Sequence, residues 1–567
     1  MNTGCPALSG SELAFSLSRC SRGLVAEQVF FKPIEHRGHR RLIFLRVESV
    51  ACGTQNWNNP ANWLEGTVPN AIGAVAIFNT PLANQSATLA GTSPGGITIG
   101  SITFNSTGTF SMGIPAGGGG PFTYDEIGAG PATVTTTGSG TGNSTISAAS
   151  VWTDSVKVIA NNTVAAAGVT FSGAITGPGG FIKEGDGIAT ISTATKAYTG
   201  ATVLNAGRMR ISSAGVPLGT SSFTVSAGAQ LELITNGSYT LGAGPLNLNG
   251  TGAASGPHAT SLGAMRNTRG TAATPFNQVI LNAVVLQSDT LIHVQAAVGT
   301  GMNATPGGST TFSGVVSGTG KLTLTAPGSD IDQGSLILTN ANTFTGGTLV
   351  NGGILNVNSD AALGAASGGI ELNTVILGGG PLHAVLRAGG PVSTTVRTLT
   401  LTNVGGTIDT NGNDVTFGVG STITDAGLPA TLRKIGAGKL TIAGTQTYDT
   451  LTTIAGRTDL ASKLGTGTST INAEAPAPTF SNTINLSVSQ TLAALNIGDG
   501  AIVTLSAALP PAPSPAGGAD VSEDSLALEA AGDPAGSLAQ AVPEPGSATL
   551  LLGGLGLLFG VRRRVGV

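Results

Sequence analysis

The chain has 567 residues, a formal net charge of −4 and 10% charged residues, against about 25% in typical soluble domains. Its 87 glycines show no three-residue period, which excludes collagen, and its 40% apolar residues are too many for a disordered polymer. Seven of the 25 basic residues fall within residues 1–50, so the remaining chain is mildly acidic and lacks a basic stripe. This composition argues against nucleic-acid binding and favours a folded, turn-rich β-protein.

Residues 1–54 form a basic leader that differs from the rest of the chain. A secretory signal needs about 7–15 uninterrupted apolar residues, whereas the run LIFL ends at Arg46. We interpret this leader as a degraded signal or as residues ahead of the true start. Two weaker alternatives are a metal site with His36, His39 and Cys52, and a lipoprotein processing site at Cys52. All the cysteines lie here, so the body has no disulfide framework or thiolate metal site.

Residues 55–84 are predicted to cap the first coil of a repeat array. Trp57 and Trp63 stand six positions apart and precede a turn and the alternating run AVAIF. The first coil of such an array has an open edge, which two large aromatic side chains can cover. The alternative is that both tryptophans form an exposed platform for sugar binding.

Residues 85–507 contain short runs of alternating apolar and polar residues, such as KLTLT, SLILT and TLTLTN, separated by glycine- and asparagine-rich turns. This pattern indicates half-buried strands. Parts of it recur, with an aromatic followed by glycine nine residues later (Tyr198 to Gly207, Phe344 to Gly353) or eight (Tyr448 to Gly456). Repeated short strands predict a β-solenoid, whose coils stack at about 4.8 Å and would build a rod on the order of 80–100 Å long.

Residues 508–541 are rich in proline, alanine and acidic residues, and we predict a disordered linker. Residues 542–567 then hold a Pro-Glu-Pro motif, an uncharged stretch from Ser547 to Val561, and three arginines. The stretch is short for a membrane span, which needs about 20 residues. The sequence nevertheless predicts a short C-terminal transmembrane helix, with Arg562, Arg563 and Arg564 stopping transfer on the cytoplasmic side.

No motif predicts catalysis or a cofactor. A polysaccharide-cleaving β-helix needs grouped carboxylates or a general base, often with calcium. The acidic pairs Asp125 with Glu126, Glu184 with Asp186, and Asp330 with Asp332 are better explained as solvated turns. The histidines of the body are also isolated from any nucleophile motif: His258, His293 and His383. We therefore expect a protein that is not an enzyme and binds no metal.

The repeated units resemble the autotransporter-associated β-strand repeat, which reads approximately K-x-G-x-G-x-L-x-L, x-Y-x-G-x-T and N-x-G-x-L. The matching residues of the first copy are Lys183, Gly185, Gly187, Tyr198, Gly200, Thr202, Asn205 and Gly207. Those of the second are Gly334, Leu336, Leu338, Phe344, Gly346, Thr348, Asn351 and Gly353. Those of the third are Lys434, Gly436, Gly438, Leu440, Tyr448 and Gly456. The resemblance implies an extracellular all-β fold, a right-handed parallel β-helix.

The C-terminal segment resembles a PEP-CTERM sorting signal, because the motif, the apolar stretch and the arginines stand in the same order. The motif residues are Val542, Pro543, Glu544 and Pro545. The resemblance implies export, transient retention in the inner membrane and cleavage near the motif by an exosortase-type membrane peptidase, which leaves the body at the cell surface or outside the cell.

These expectations combine into a function: an exported structural protein of the cell surface or extracellular matrix. The alternative is an adhesin that binds extracellular polysaccharide through its tryptophans, and a polysaccharide lyase or hydrolase is a more distant one.

Overall fold

The computed structural model describes residues 42–44, 54–506 and 548–550, with gaps at 64, 81–84, 90–95, 107–109, 114–118, 140–141, 165–166, 216–217, 254–255, 259–262, 269–275, 295–307, 327–333, 378–379, 428 and 466. The chain forms two compact units. Unit 1 comprises Met1–Glu232, Thr240–Gly244 and Ala253–Ser261, and unit 2 comprises Leu233–Tyr239, Pro245–Gly252 and Leu262–Val567.

The strands that begin in unit 1 are β1 Leu42–Phe44, β2 Thr54–Asn56, β3 Val75–Thr80, β4 Gln85–Thr88, β5 Ile97–Ile99, β6 Ser101–Ser106, β7 Phe110–Gly113, β8 Phe122–Tyr124, β9 Ala132–Gly138, β10 Ser144–Ile146, β11 Ser150–Trp152, β12 Val156–Asn162, β13 Gly168–Phe171, β14 Ile175–Gly177, β15 Phe181–Glu184, β16 Ile188–Ile191, β17 Lys196–Tyr198, β18 Thr202–Leu204, β19 Gly207–Ile211, β20 Phe223–Val225 and β21 Ala229–Leu233. Short 3-10 helices occur at Pro60–Asn62 and Gly256–His258.

The strands of unit 2 are β22 Gly237–Tyr239, β23 Leu246–Gly250, β24 Met265–Asn267, β25 Asn277–Ile280, β26 Val284–His293, β27 Ser309–Phe312, β28 Val316–Gly318, β29 Leu322–Thr325, β30 Ser335–Leu338, β31 Thr348–Val350, β32 Gly353–Val357, β33 Ile370–Leu377, β34 Gly380–Leu382, β35 Ala384–Ala388, β36 Val392–Thr394, β37 Thr398–Asn403, β38 Gly405–Asp409, β39 Val415–Phe417, β40 Thr422–Asp425, β41 Thr431–Ile435, β42 Lys439–Ile442, β43 Thr445–Gln446, β44 Thr450–Thr453, β45 Gly456–Leu460, β46 Thr470–Ala473, β47 Asn482–Leu486, β48 Ala494–Ile497, β49 Ile502–Leu505 and β50 Ala548–Leu550. A 3-10 helix occurs at Asp360–Leu363.

Unit 1 consists of three stacks of parallel strands. Consecutive strands along the chain belong to different stacks. The stacks run β3-β6-β9-β12-β15-β18-β20, β2-β4-β7-β10-β13-β16-β19 and β5-β8-β11-β14-β17. Partner residues lie about 20–25 positions apart in many pairs, as in Phe181 with Thr202 and Ile97 with Phe122. One circuit of the chain therefore adds one strand to each stack.

Unit 2 repeats this arrangement. Its stacks run β26-β29-β31-β33-β37-β40-β43, β22-β25-β27-β30-β32-β35-β38-β41-β44-β46-β48 and β36-β39-β42-β45-β47-β49. Parallel pairing is interrupted by two antiparallel partners, β34 against β33 and β50 against β49. The predicted all-β fold with stacked parallel strands is confirmed.

Alternation along many of the strands explains why these sequences form stacked sheets. In β12 the residues Val156, Val158 and Ala160 are buried, while Lys157 and Ile159 between them are partly exposed. Successive side chains of a strand point to opposite faces, so every second residue enters the interior. Each buried valine, leucine or isoleucine contributes roughly 1.5–3 kcal/mol. The core therefore comes from the period of two that the sequence shows.

The first coils of unit 1 enclose an aromatic cluster. Trp57 and Trp63 are 0% and 1% exposed, and their ring centroids lie 4.9 Å apart in an edge contact. Trp57 also contacts Phe122 at 5.1 Å. The indole nitrogens donate to main-chain carbonyls, Trp57 to Pro69 at 3.2 Å and Trp63 to Trp57 at 2.7 Å. These tryptophans are internal packing groups, so the alternative of an exposed sugar platform is wrong.

Strands occur in two segments where the sequence predicted none, the leader and the predicted C-terminal transmembrane helix. Within the leader, Leu42–Phe44 form β1 and pair in parallel with β3. Near the start of the predicted transmembrane helix, Ala548–Leu550 form β50 instead, because the edge of β49 offers unpaired N–H and C=O groups to an extended segment. Among the described residues we find no helix long and apolar enough to cross a bilayer, so the transmembrane helix is not supported. The rest of its range lies outside the described residues.

Candidate functional site: the repeat turns and the terminal segment

The predicted sorting residues lie outside the described residues, namely Val542, Pro543, Glu544, Pro545, Arg562, Arg563 and Arg564. The same holds for His36, His39 and Cys52 of the leader and for the pair Asp330 and Asp332. The linker 508–541 also falls there. The described part of the chain instead shows the geometry of the repeats, which carries the rest of the functional argument.

The lysine of the repeat is buried and binds the turn that follows it. In the third repeat, Lys434 Nζ donates to the carbonyl oxygens of Gly436 at 2.5 Å, Gly438 at 2.8 Å and Ala455 at 2.6 Å. It also donates to Thr410 Oγ1 at 3.1 Å, on the preceding coil. The ammonium group therefore joins three consecutive coils at one corner.

The first repeat builds the same cradle. Lys183 Nζ donates to the carbonyls of Glu184 and Gly185, both at 2.7 Å, and of Ala206 at 3.3 Å. In the second repeat the corresponding position, four residues before Gly334, holds Asp330, which lies outside the described residues. The lysine cradle is thus present in the two described copies that carry a lysine.

Burial changes the titration of these lysines. Removal from water lowers the pKa of Lys183 to about 7, although Asp186 and Glu184 nearby favour the charged form. Burial likewise lowers the pKa of Lys434 to about 8, opposed by the carboxylate of Asp409. These nitrogens hold the main chain rather than face solvent, so a strong pKa shift here has a structural cause.

The glycines of the repeat allow close stacking of the turns. Gly456 has φ +77°, and a Cβ at this position would lie 2.5 Å from the carbonyl oxygens of Gly436 and Gly438 and from Lys434 Nζ. Gly207 has φ +64° and its Cβ would meet the carbonyls of Gly185 and Gly187 in the same way. The spaced glycines of the repeat therefore contact one another across coils. The last glycine packs against the main-chain carbonyls of the two glycines on the preceding coil.

The aromatic residues of the repeat are fully internal. Tyr198, Phe344 and Tyr448 are each at most 1% exposed. The hydroxyl of Tyr198 lies 2.6 Å from Thr202 Oγ1, and that of Tyr448 donates to Gln446 Oε1 at 2.8 Å. Burial raises the pKa of both tyrosines. They anchor the corner of each coil and offer no binding surface.

A Leu-Gly pair, which the sequence analysis did not predict, follows each aromatic and packs against the ring in the first two repeats. It comprises Leu218-Gly219, Leu363-Gly364 and Leu464-Gly465. A Cβ on Gly219 would lie 3.0 Å from the ring of Tyr198, and one on Gly364 would lie 3.0 Å from the ring of Phe344. The signal was present, because the glycine of the pair follows the aromatic by 21, 20 and 17 residues in the three copies.

Arg397 is a second important residue without a sequence signal. Its side chain is 1% exposed, and Nε donates to Asp360 Oδ1 at 2.8 Å. Its Nη atoms donate to the carbonyls of Ala365 at 3.0 Å, Gly368 at 2.7 Å and Gly364 at 3.1 Å. One guanidinium thereby satisfies the carbonyls of the loop that begins at the 3-10 helix Asp360–Leu363.

Among the described residues, the acidic and histidine candidates are not brought together into one cluster. Glu184 makes an ion pair of 3.8 Å with Lys157, and His293 Nδ1 lies 3.2 Å from Thr325 Oγ1. Burial, with Arg266 nearby, lowers the pKa of His293 to about 4, so it is neutral at neutral pH. Within the described ranges, no three His, Cys, Asp or Glu residues converge in a way that could hold a metal.

In the part of the chain that the structure describes, polar ladders and an open cavity face the solvent. Asn373 Nδ2 donates to Asn351 Oδ1 at 2.8 Å, and Asn496 donates to Asn472 at 2.7 Å, each pair joining neighbouring coils. In unit 1 a cavity of about 460 Å³ lies beside the turn of the first repeat, lined by Asn161, Asn162, Thr163, Gly185, Asp186, Gly256 and Pro257. Its amide and carboxylate groups suit a hydroxyl-rich ligand.

Comparison with known proteins identifies both segments. The passenger-associated-transport-repeat matches residues 181–211, 331–357 and 432–456, which hold the lysine, glycine and aromatic contacts described above. The PEP-CTERM protein-sorting motif matches residues 541–564. The chain carries transport repeats and a PEP-CTERM sorting motif. Both predicted resemblances are therefore confirmed.

A segment of the chain is also similar to the adhesin BmaC autotransporter of Brucella suis biovar 1 (strain 1330). The two are 48% identical over 68 residues, which is 12% of this chain and 2% of that adhesin. The chain thus matches only a small part of this relative. No solved structure matches the chain. The sorting motif and the repeats together indicate an exported cell-surface protein.

Proposed function

We propose that this protein is a non-enzymatic structural component of the cell surface or extracellular matrix, a right-handed parallel β-helix that an exosortase processes at its PEP-CTERM segment. The right hand follows from the strong preference of parallel crossover connections for that hand. Pro543-Glu544-Pro545 is the substrate site of the peptidase, and Arg562, Arg563 and Arg564 hold the end of the tail on the cytoplasmic side during transient retention in the inner membrane.

The observation that carries the structural role is the use of the repeat's polar side chains inside the fold. The ammonium groups of Lys183 and Lys434 donate hydrogen bonds to main-chain carbonyls, and the side chains of Tyr198 and Tyr448 are buried. A group that already holds the backbone is not available for proton transfer or for ligand recognition. The repeats of this protein therefore serve to stack coils.

An adhesin is the second candidate. It is favoured by the similarity to the BmaC adhesin and by the cavity beside Asp186, whose amide and carboxylate groups can form hydrogen bonds with the hydroxyl groups of a polysaccharide. The buried tryptophans take no part in it. A glycan array probed with wild-type protein tests this candidate: binding that is lost in Asp186→Ala supports it, and a blank array rejects it.

The intact mass of the protein recovered from its host's envelope and medium tests the sorting proposal. Cleavage near Pro543-Glu544-Pro545 removes roughly the last two dozen residues, so the recovered mass should lack Arg562–Arg564. Retention of the arginines in the recovered protein would reject processing. The non-enzymatic proposal is tested separately, by incubating the recovered protein with acidic polysaccharides: any cleavage that Asp330→Ala with Asp332→Ala abolishes would reject it.

A further inference from the structure

The last strands of two stacks in unit 2, β48 and β49, have an edge that no further described parallel strand of the stack covers. β48 lies at the end of its stack and pairs with β46 on one side. β49 pairs in parallel with β47 on one side and antiparallel with β50 on the other. An edge strand presents a row of main-chain N–H and C=O groups that can template another strand.

The edge strand β49 carries none of the residues that usually prevent such pairing. Natural edges are protected by lysine, proline, bulges or inward-pointing charges. The strand reads IVTL and β47 beside it reads NTINL, neither of which contains a charged residue or a proline. Ile502, Thr504 and Leu505 are partly exposed, whereas Val503 faces the core. This edge is therefore neutral and partly apolar.

The partner strand that covers β49 belongs to the sorting segment. Val503 pairs with Leu550, Thr504 with Thr549, and Leu505 with Ala548. All three partners follow Pro545, so they lie on the piece that cleavage at the motif removes. Processing would thus detach the strand that occupies the edge.

We propose that cleavage frees β49 and that a second processed copy of this chain then pairs antiparallel with it, β49 to β49, in a two-fold dimer. The inference rests on the proposed processing. β50 (ATL) shows that the edge accepts an antiparallel strand of uncharged residues, and β49 (IVTL) is itself such a strand. Self-pairing about a two-fold axis is isologous, so it closes at two copies.

Charge also permits this pairing. The acidic residue nearest to the strand is Asp499, in the turn Gly498–Gly500 that precedes it. In an antiparallel pair, the residues before one strand lie beyond the end of the other. The two Asp499 carboxylates therefore stand at opposite ends of the paired strands, where they do not repel each other directly.

The test compares the full chain, the processed protein recovered from the host, and a chain ending at Ala541, all in one detergent, by sedimentation velocity over a concentration series. We expect a monomeric full chain and a processed chain whose mass doubles with concentration. The chain ending at Ala541 bypasses the peptidase, so it reports on the edge even if processing fails in the host. Its circular dichroism spectrum establishes that it is folded.

Two lysine substitutions in the chain ending at Ala541 locate the interface. Thr504→Lys places a charge on the edge strand and should abolish the dimer. Thr441→Lys places the same charge in the same outward row, on β42, where Thr441, Asp459, Asn485 and Thr504 are successive partners. This control should leave the dimer intact. A monomer at every concentration, an open filament, a dimeric full chain, or a dimer that survives Thr504→Lys would each overturn the proposal.

Discussion

At the scale of single residues, the third repeat shows why its motif has spaced glycines and a lysine. Gly436 and Gly438 present their carbonyl oxygens to Lys434 Nζ, and Gly456 of the next coil lies directly on the same oxygens. No side chain fits between them. The motif therefore encodes a contact between coils rather than a surface for a ligand.

Replacement of Gly456 by alanine should destabilise this corner by about 2–5 kcal/mol. The positive φ costs about 1–2 kcal/mol in any L-residue, and the clash with two carbonyls adds about 1–3 kcal/mol. Gly427→Ala is the matched control, because Gly427 has φ +81° and no atom lies within 4 Å of its ideal Cβ. Hydrogen exchange of the coil amides measures the loss of stability in each variant. Equal losses in the two variants would contradict the stacking argument.

Stability of the third repeat should increase as the pH rises from about 8 to about 10.5. Burial lowers the pKa of Lys434 to about 8 in the folded protein, whereas the unfolded chain retains the usual lysine value of about 10.4. Between these values the unfolded chain binds more protons, so the free energy of unfolding rises with pH. Below about pH 8 both states are protonated, and the folded state bears the full cost of the buried charge.

The variant Lys434→Met should lose this rise with pH and should also cost about 1–3 kcal/mol at neutral pH, because buried carbonyls lose their donor. Lys439→Met is the control: its ammonium makes a 3.5 Å ion pair with Asp414 and is 38% exposed, so the rise should persist. Local opening free energies, measured by hydrogen exchange across the pH range, test whether each variant keeps or loses the rise in stability. A pH profile of Lys434→Met that parallels the wild type would refute the assignment.

At the scale of elements, Arg397 shows how an irregular loop is held between regular coils. Asp360–Leu363 and the residues up to Gly368 leave several carbonyls without partners in the ladder, and the guanidinium of Arg397 supplies donors to them. A planar group with five donors can do this, whereas an ammonium on a flexible stem cannot reach the same set.

Arg397→Lys should therefore destabilise the loop nearly as much as Arg397→Met, by about 2–4 kcal/mol, because both leave the buried carbonyls of Gly364 and Gly368 short of donors and weaken the pair with the partly exposed Asp360. Arg457→Lys serves as the control, since its pair with Asp459 involves a side chain that is 55% exposed and should be worth below about 1 kcal/mol. Proteolysis and amide exchange over Asp360–Gly369 report the effect. Protection restored by lysine would show that charge, not geometry, holds the loop.

At the scale of the whole molecule, the chain joins a stacked β-body to a segment that is recognised for sorting. Within each unit a coil contacts mainly its neighbours through the strand stacks, which is the organisation of a repeat protein. The corner contacts of lysine, glycine and aromatic residues recur only at the matched repeats, while the remaining described coils are joined through the strand stacks. At this scale the proposed function requires that the tail is processed, and the proposed dimer requires that β49 then pairs with a second copy; the intact-mass and sedimentation experiments test these two steps.

The sequence by itself determined the all-β class and the repeats, and the resemblance of its motifs to known families implied the parallel stacking and the sorting signal. These are local properties: alternation with a period of two marks a half-buried strand, and the glycine spacing marks a turn, whatever lies elsewhere in the chain. The third repeat could be read from Leu432 to Gly456 for this reason, and the same residues are matched as a transport repeat.

Only the tertiary structure decided which residues meet across coils. Trp57 and Trp63 have the same sequence signal whether they face a sugar or the core, and the neighbouring Phe78 and Phe122 place them inside. Likewise, the sequence around Arg397 does not predict its ion pair with Asp360, because the two residues lie 37 positions apart. Ala548–Leu550 could be assigned to a strand only once the open edge of β49 was known. Contacts between distant residues depend on which strands stack and in which register. A period of two fixes the buried face of a strand, but a slip of two residues keeps the same face buried, so periodicity alone does not specify these contacts.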